Sequence, residues 1–289
     1  MTALVKLVEP FQFAFFRHGM VVATLAGALC GLVGVYVVLR GMSYIGHGLS
    51  HAIFGGAAAS AVLSYNIYLG AGLWGLASGL MIGRVTRRRI IGSDAAIGVI
   101  TTASFALGLV LFGLFGTARR SVDAMLFGSI LGVSTQDVLV VAGVTVGAAA
   151  IVFVRYRALL FTTFDPEVAE VSGVNTARMD ALLMLVLAAS ILATMQVIGV
   201  VLVAAMLVIP AVVARLLTNR FVRMLWLAVL IGAVSGMAGM YLSYFLDVSS
   251  GATIVLVGTA LFMVVFALTG PRRLGRVAGM DHGHPASTA

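Results

Sequence analysis

The sequence is poor in charged residues and in cysteine. Only 10% of its 289 residues are charged and 61% are hydrophobic, whereas a soluble domain carries roughly 25% charged residues. Its single cysteine, Cys30, excludes an internal disulfide. A chain with a mean hydropathy of +1.13 needs lipid around it. We therefore interpret the chain as a multi-pass protein of the cell membrane.

Two catalytic motifs are also missing. The sequence has no G-x-x-x-x-G-K-[ST] loop, so the chain does not itself hydrolyse a nucleotide by that route. It has no H-E-x-x-H motif either, because the stretch from His47 to His51 reads HGLSH and lacks the glutamate base of a metalloprotease. Few carboxylates lie within apolar runs, which argues against a proton relay. We expect no enzymatic activity from this chain alone.

The net charge of +8 is explained by membrane topology rather than by a nucleic-acid partner. Apolar runs that approach the ~20 residues needed to cross a bilayer predict nine spans, with eight as the alternative. The predicted spans are 19–39, 49–65, 67–84, 95–115, 137–154, 178–196, 198–216, 224–246 and 251–269. Arginine clusters follow the third, fifth, seventh and ninth spans. This distribution places the C-terminus inside the cell and the N-terminus outside.

The predicted fold class is all-α, a polytopic bundle of membrane helices. We expect an amphipathic lead-in over residues 1–18, a transmembrane domain over 19–270 and a disordered cytoplasmic tail over 271–289. Pro271 is expected to end the last helix. His282 and His284 form a weak H-x-H pattern, which we interpret as tail composition rather than a metal site.

The stretch 40–56, RGMSYIGHGLSHAIFGG, contains the candidate metal ligands. His47 and His51 are four residues apart, which on a helix places both imidazoles on one face. Imidazole is the commonest side chain for binding a transition metal. A histidine in an apolar helix can instead bond to a neighbouring helix. For this pair we favour a metal-handling role.

A second stretch, FDPEVAEVSGVNTARMD over residues 164–180, lies in a cytoplasmic loop of the predicted topology. Asp165 and Pro166 are typical of a helix start, and Gly173 with Asn175 is typical of a helix end. A short helix at the membrane surface is what a soluble partner can bind. An incidental surface helix is the alternative interpretation.

Five stretches carry a resemblance to the permeases of metal-ion (zinc, manganese or iron) ABC transporters. They are VVLRGMSYIGHGLSHAIFGG, SDAAIGVITTASFALGLVLFG, FDPEVAEVSGVN, MQVIGVVLVAAMLVIPAVVARLL and YLSYFLDVSSGATIVLVG, in this order across residues 19–270. The resemblance implies a fold similar to the vitamin B12 and siderophore permeases, with one fewer helix at the start. It also implies a permease subunit of an ATP-driven importer, whose divalent metal ion is cargo rather than a permanent cofactor.

The same resemblance implies the partners. These are cytoplasmic ABC ATPase subunits, an extracytoplasmic metal-binding protein and a second permease copy, most simply as a homodimer. It further implies that residues 164–175 include the helix that couples to the ATPase. The residues carried over for this role are Asp165, Pro166, Glu167, Glu170 and Gly173.

The sequence departs from the family pattern at His47, where such permeases usually have aspartate. His51 is therefore transferred directly and His47 only as a changed ligand. An imidazole nitrogen in place of a carboxylate oxygen shifts the expected cargo from manganese towards zinc or iron. Two other hypotheses remain open at this point, namely a self-contained secondary metal transporter or channel, and an intramembrane metalloenzyme.

Overall fold

The computed structural model describes residues 8–87, 93–115 and 133–280, together with Leu126 and Gly128. Apart from a short 3₁₀ turn over Glu9–Gln12, the regular elements in these ranges are α-helices, without any strand. The predicted all-α fold class is therefore confirmed.

The helices are numbered here in chain order. They are α1 (Ala14–Leu39), α2 (Ser43–Val62), α3 (Ile67–Arg87), α4 (Ser93–Phe115), α5 (Thr135–Val154), α6 (Tyr156–Phe164), α7 (Pro166–Val171), α8 (Thr176–Ile198), α9 (Val200–Leu217), α10 (Phe221–Leu246) and α11 (Ser250–Met280).

The predicted count of nine spans is not confirmed. Within the described residues, seven helices are long and apolar enough to cross a bilayer, namely α1, α4, α5, α8, α9, α10 and α11. Helices α2 and α3 occupy the positions of the second and third predicted spans, with 20 and 21 residues. They do not reach the same hydropathy, because α2 contains two histidines with several serines and glycines, whereas α3 contains several glycines and ends in an arginine-bearing segment.

The last helix is longer than expected. Helix α11 continues through Pro271 and ends at Met280, so Pro271 does not end it as the sequence suggested. A proline inside a helix removes one backbone hydrogen bond and crowds the carbonyl four residues before it, but its fixed φ is compatible with a helix. His282 and His284 lie outside the described residues.

Helix α1 forms the centre of the bundle. Of the residues in its most apolar 18-residue segment, 78% are buried. The helix packs against α10, α9, α5 and α8. Its contact with α10 is made by small residues: a Cβ added at Gly27 would lie 2.0 Å from the carbonyl oxygen of Gly232. Small residues allow membrane helices to approach at backbone distance, and this contact fixes α1 against α10.

Helix α2 is held in the same way between α3 and α4. A Cβ at Gly48 would lie 2.5 Å from Ile97, and one at Gly55 would lie 2.2 Å from the carbonyl oxygen of Ser104. Both neighbours belong to α4. The glycines of α2 thus hold its histidine-bearing segment directly against α4.

Candidate functional site

The two histidines of α2 meet as the sequence predicted. His47 and His51 lie one turn apart, with their Nε2 atoms separated by 3.1 Å. Their ring planes are nearly perpendicular and the ring centroids are 4.4 Å apart. Both side chains are partly buried. Two imidazole nitrogens therefore converge on one point beside the helix.

This separation is compatible with two kinds of interaction. Without a cation, one Nε2 donates a hydrogen bond and the other accepts it, depending on the tautomers. A cation at the usual 2.0–2.1 Å from each nitrogen would form an N–cation–N angle of about 100°, close to the tetrahedral value. The pair can thus supply two ligands of a metal coordination shell.

The surroundings of the pair are mostly apolar. The ring of Phe105 on α4 packs edge-on against His51 at 4.5 Å between centroids, and Tyr44 lies 5.8 Å from His47. Within the described part of the chain, the buried Nδ1 of His51 has no hydrogen-bond partner. Resident metal sites normally fix this second nitrogen by a hydrogen bond. The His51 ring thus lacks the second hydrogen bond that is typical of a resident metal site.

The described residues contain no group of three or more His, Cys, Asp or Glu side chains placed to hold a metal ion. Two imidazoles leave most of a coordination shell to be filled by water or by groups from another subunit. The pair therefore supplies only part of a metal coordination shell.

The predicted surface helix is present as α7. Asp165 caps its start, because the Asp165 side chain accepts a hydrogen bond of 3.0 Å from the backbone N–H of Val168. Pro166 occupies the first helical position. At the other end Gly173 has φ of +81°, and the N–H of Val174 donates to the carbonyl of Ala169 at 2.9 Å. This pattern is a Schellman C-cap, so both ends of α7 are fixed locally.

Helix α7 is joined to α8 and exposes apolar side chains. The hydroxyl of Thr176, the first residue of α8, donates to Glu170 at 2.6 Å. Val168 is 48% exposed and Val171 is 91% exposed. Exposed valines three residues apart lie on one side of a helix. Helix α7 therefore presents a small apolar surface together with the exposed carboxylate of Glu167.

Arg40 forms an ion pair with Asp180 on α8 at 2.7 Å. Its guanidinium also donates to the hydroxyls of Thr162 at 2.9 Å and Thr163 at 3.2 Å, both on α6. The Arg40 side chain is only 9% exposed. The end of α1 is thus bonded to the helices on both sides of α7.

A cavity of about 660 Å³ lies beside this ion pair, between the α1–α2 turn and helices α3, α4 and α8. Its wall combines polar groups with apolar side chains. The former include Arg40, Arg84 and Asp180, and the latter include Ile45, Ile97 and Met184. Ile45 is two residues before His47 in α2. The cavity therefore lies at the start of α2, beside Arg40.

Another polar contact joins the start of α3, the end remote from Arg84, to α5. The hydroxyl of Tyr68 donates to the carboxylate of Asp137, and Asp137 also forms a reciprocal capping box with Ser134. Asp137 is thus held by two elements at once. This bond ties the first turn of α3 to the first turn of α5.

Sequence reasoning missed several of these residues. In the sequence Arg40 is only one more arginine at the end of a predicted span, and nothing there indicates its partners Thr162 and Asp180 or the edge-on contact of Phe105 with His51. The partners of Arg40 are 122 to 140 residues away in sequence. The adjacency of Arg40 to the histidine stretch was the only available signal.

Comparison with known proteins places these features in a family. The model of the ABC 3 transport family matches residues 12–269. A relative is the "Manganese transport system membrane protein MntC" of Halalkalibacterium halodurans, 40% identical over 258 residues, with 88% of this chain and 87% of the relative covered. Another is the "Probable iron transport system membrane protein" of Haemophilus influenzae, 34% identical over 261 residues, with 90% and 96% covered.

A solved structure agrees with the sequence comparison. The structure titled "PsaBC from Streptococcus pneumoniae in complex with Fab" superposes with a TM-score of 0.82 at 32% identity, and covers 91% of this chain and 95% of that one. The resemblance inferred from the five sequence stretches is thereby confirmed, as is the location in the cell membrane. On these grounds the chain, a multi-pass membrane permease, belongs to the ABC 3 transport family.

Proposed function

We propose that this chain is the permease subunit of an ATP-driven importer of divalent transition-metal ions. The observation that carries the proposal is the 3.1 Å separation of the His47 and His51 Nε2 atoms within a transport-family fold. The relatives named for manganese and iron transport support the same cargo class. The two imidazoles form the point that the ion contacts during passage.

Weak binding is an advantage at such a point, since an ion that binds tightly does not leave. The pair offers two imidazole nitrogens, and no carboxylate joins them in a metal-binding group among the described residues. A second copy of the chain, related by a twofold axis, would bring a second pair to a central passage. Four imidazoles then form a set that a tetrahedral ion accepts.

In this proposal α2 and α3 also cross the bilayer, which gives nine spans in total. Their lengths of 20 and 21 residues are sufficient for a crossing. Helix α2 has the buried residues of an inner helix, and its neighbours α3 and α4 shield it from lipid. Polar groups within a span are tolerated when they face the bundle interior.

The identity of the transported metal ion is a separate part of the proposal. The names of the relatives favour manganese or iron. Replacing a hard carboxylate by imidazole favours ions later in the first transition row, so we expect His47 to raise the relative uptake of zinc and iron over manganese.

Energy comes from separate ABC ATPase subunits on the cytoplasmic side, and a metal-binding protein delivers the ion on the other side. Support for the first partner comes from α7, which is capped at both ends and exposes Val168 and Val171. Family membership implies both classes of partner. Asp165, Pro166, Glu167, Glu170 and Gly173 form or cap the helix that docks into the ATPase.

The test is reconstitution of the permease in liposomes with and without its ATPase subunits and binding protein. Uptake of manganese, iron and zinc in competition is measured with and without ATP. We expect uptake only when ATP and the ATPase are both present. Uptake by the permease alone would support a secondary transporter or channel and would contradict the proposal.

A further inference from the structure

We propose that Arg40 is a positioning residue that transmits movement of the α6–α7–α8 segment to the histidine pair. The group formed by Arg40, Thr162, Thr163 and Asp180 is called the Arg40 clamp below. This inference rests on the proposed function, because it assumes that α7 receives the force of an ATPase. It goes beyond that function by assigning a route between the docking helix and the ion.

The clamp joins three helices through one side chain. Arg40 ends α1, Thr162 and Thr163 lie in the last turn of α6, and Asp180 lies in the second turn of α8. The three hydrogen bonds measure 2.7, 2.9 and 3.2 Å. A guanidinium carries its donors in a rigid planar fork, so it fixes the relative position of its partners.

The threonine hydroxyls are oriented to accept from Arg40. The hydroxyl of Thr163 donates to the carbonyl of Leu159 at 2.6 Å, and that of Thr162 donates to the carbonyl of Ala158 at 3.0 Å. Because each hydroxyl has a single proton, its lone pairs remain for the guanidinium. The last turn of α6 is therefore built to receive a donor from α1.

The clamp contacts the chain on both sides of α7. Before α7, the N–H of Asp165 bonds to the carbonyl of Phe161 at 2.9 Å. After it, Glu170 bonds to Thr176, one turn before Asp180 in α8. A displacement of α7 therefore moves the partners of Arg40 with it, because short bonded segments connect them.

From Arg40 the connection to the histidines is short. Gly41 has φ of +67°, and the N–H of Met42 donates to the carbonyl of Val37 at 3.0 Å, which closes a Schellman turn. Helix α2 begins at Ser43 and His47 is its fifth residue. A tight, hydrogen-bonded turn thus joins the clamp to the helix that carries both ligands.

The test uses the whole transporter in liposomes and compares Arg40→Lys and Arg40→Gln with the wild-type chain. The measured quantity is the number of metal ions taken up per ATP hydrolysed, with manganese and zinc as probes. Lysine keeps the charge but loses the fork. We expect both variants to hydrolyse ATP while ions per ATP fall by about tenfold, as a loss of roughly 1.4 kcal/mol in coupling would give.

Two further measurements separate transmission from mere stability. In Arg40→Lys, the metal affinity of the purified permease should stay within about twofold of wild type, since the histidines are untouched. Its thermal unfolding temperature should stay within a few degrees, since lysine keeps a positive charge opposite Asp180. Thr162→Val removes one acceptor, keeps Asp180 and should give a smaller loss of ions per ATP. Arg223→Lys, on the exposed side of α10, is the matched control and should leave the ratio unchanged.

The inference is overturned if Arg40→Lys and Thr162→Val keep the wild-type ratio, or if metal affinity, stability and uptake all fall in parallel. Absence of ATP-dependent uptake by the wild-type complex would overturn the proposed function itself, and the inference with it. The wild-type and variant readouts therefore distinguish the two failures.

Discussion

Gly27 of α1 and Gly232 of α10 oppose each other so closely that a Cβ on either would lie 2.0 Å from the carbonyl oxygen of the other. A contact of this length leaves no room for any side chain. The neighbouring positions repeat the arrangement, since a Cβ at Gly31 would lie 2.2 Å from the carbonyl oxygen of Ala228. The central helix of the bundle is thus fixed by backbone contact at two positions about one turn apart.

Gly232→Ala should therefore destabilise the bundle. The methyl group forces α1 and α10 apart, and overpacking of this kind costs about 1–3 kcal/mol. Thermal unfolding in detergent measures the effect. Gly98→Ala on α4 is the control, because a Cβ there meets nothing within 4 Å and alanine is the better helix former. Equal stability of the two variants would contradict the packing argument.

His47→Ala and His51→Ala should each lower metal uptake while ATP hydrolysis continues. Each change removes one of two converging nitrogens, and loss of one ligand is expected to reduce uptake by about tenfold or more. Uptake of radioactive manganese or zinc by reconstituted liposomes checks this. His18→Ala, on α1 and outside the pair, is the control. Normal uptake by both variants of the pair would end its assignment as a transit site.

His47→Asp should change selectivity rather than abolish transport. A carboxylate oxygen favours manganese and imidazole favours zinc, so the manganese-to-zinc uptake ratio should rise by about tenfold, equivalent to roughly 1.4 kcal/mol. The ratio is measured with both ions present at equal concentration. An unchanged ratio would show that His47 does not contact the ion.

Val171→Asp should weaken binding of the ATPase subunit. Val171 is 91% exposed on α7, and a buried charge in an apolar interface without a partner is unfavourable. We expect co-purification of the ATPase to fall by about tenfold or more, as for a central interface residue. Metal affinity of the permease should be retained.

The control for this variant is Val248→Asp, which changes a 51% exposed valine in the turn after α10. In the proposed topology this turn faces away from the cytoplasm. Both substitutions add the same charge to an exposed valine. Equal loss of the ATPase from both variants would point to a general effect of charge and against docking through α7.

Local pattern explains what could be predicted from the sequence. Within the described ranges, the nine helices of 18 or more residues coincide with the predicted apolar runs to within a few residues at most ends, because hydropathy is averaged over a whole helix. The ends of α7 were predicted from Asp165, Pro166 and Gly173, since caps depend on neighbouring residues. The spacing of His47 and His51 was enough to predict a shared face.

Contacts between distant residues could not be predicted in the same way. The bonds from Arg40 to Thr162 and Asp180 depend on how α1, α6 and α8 pack, and no periodic signal encodes that packing. The histidines that identify the site also lower the hydropathy of α2, which is why this helix is absent from the seven most apolar ones. The shift towards zinc stays a prediction, while the relatives are named for manganese and iron.

The Schellman turn between Leu39 and Ser43 also sets the direction in which the imidazoles point. Gly41 has φ of +67°, which L side chains rarely adopt, so a larger residue there would strain the turn and shift the start of α2, and with it both imidazoles, without altering either ligand. A substitution outside the histidine pair can therefore displace the candidate site through this turn alone.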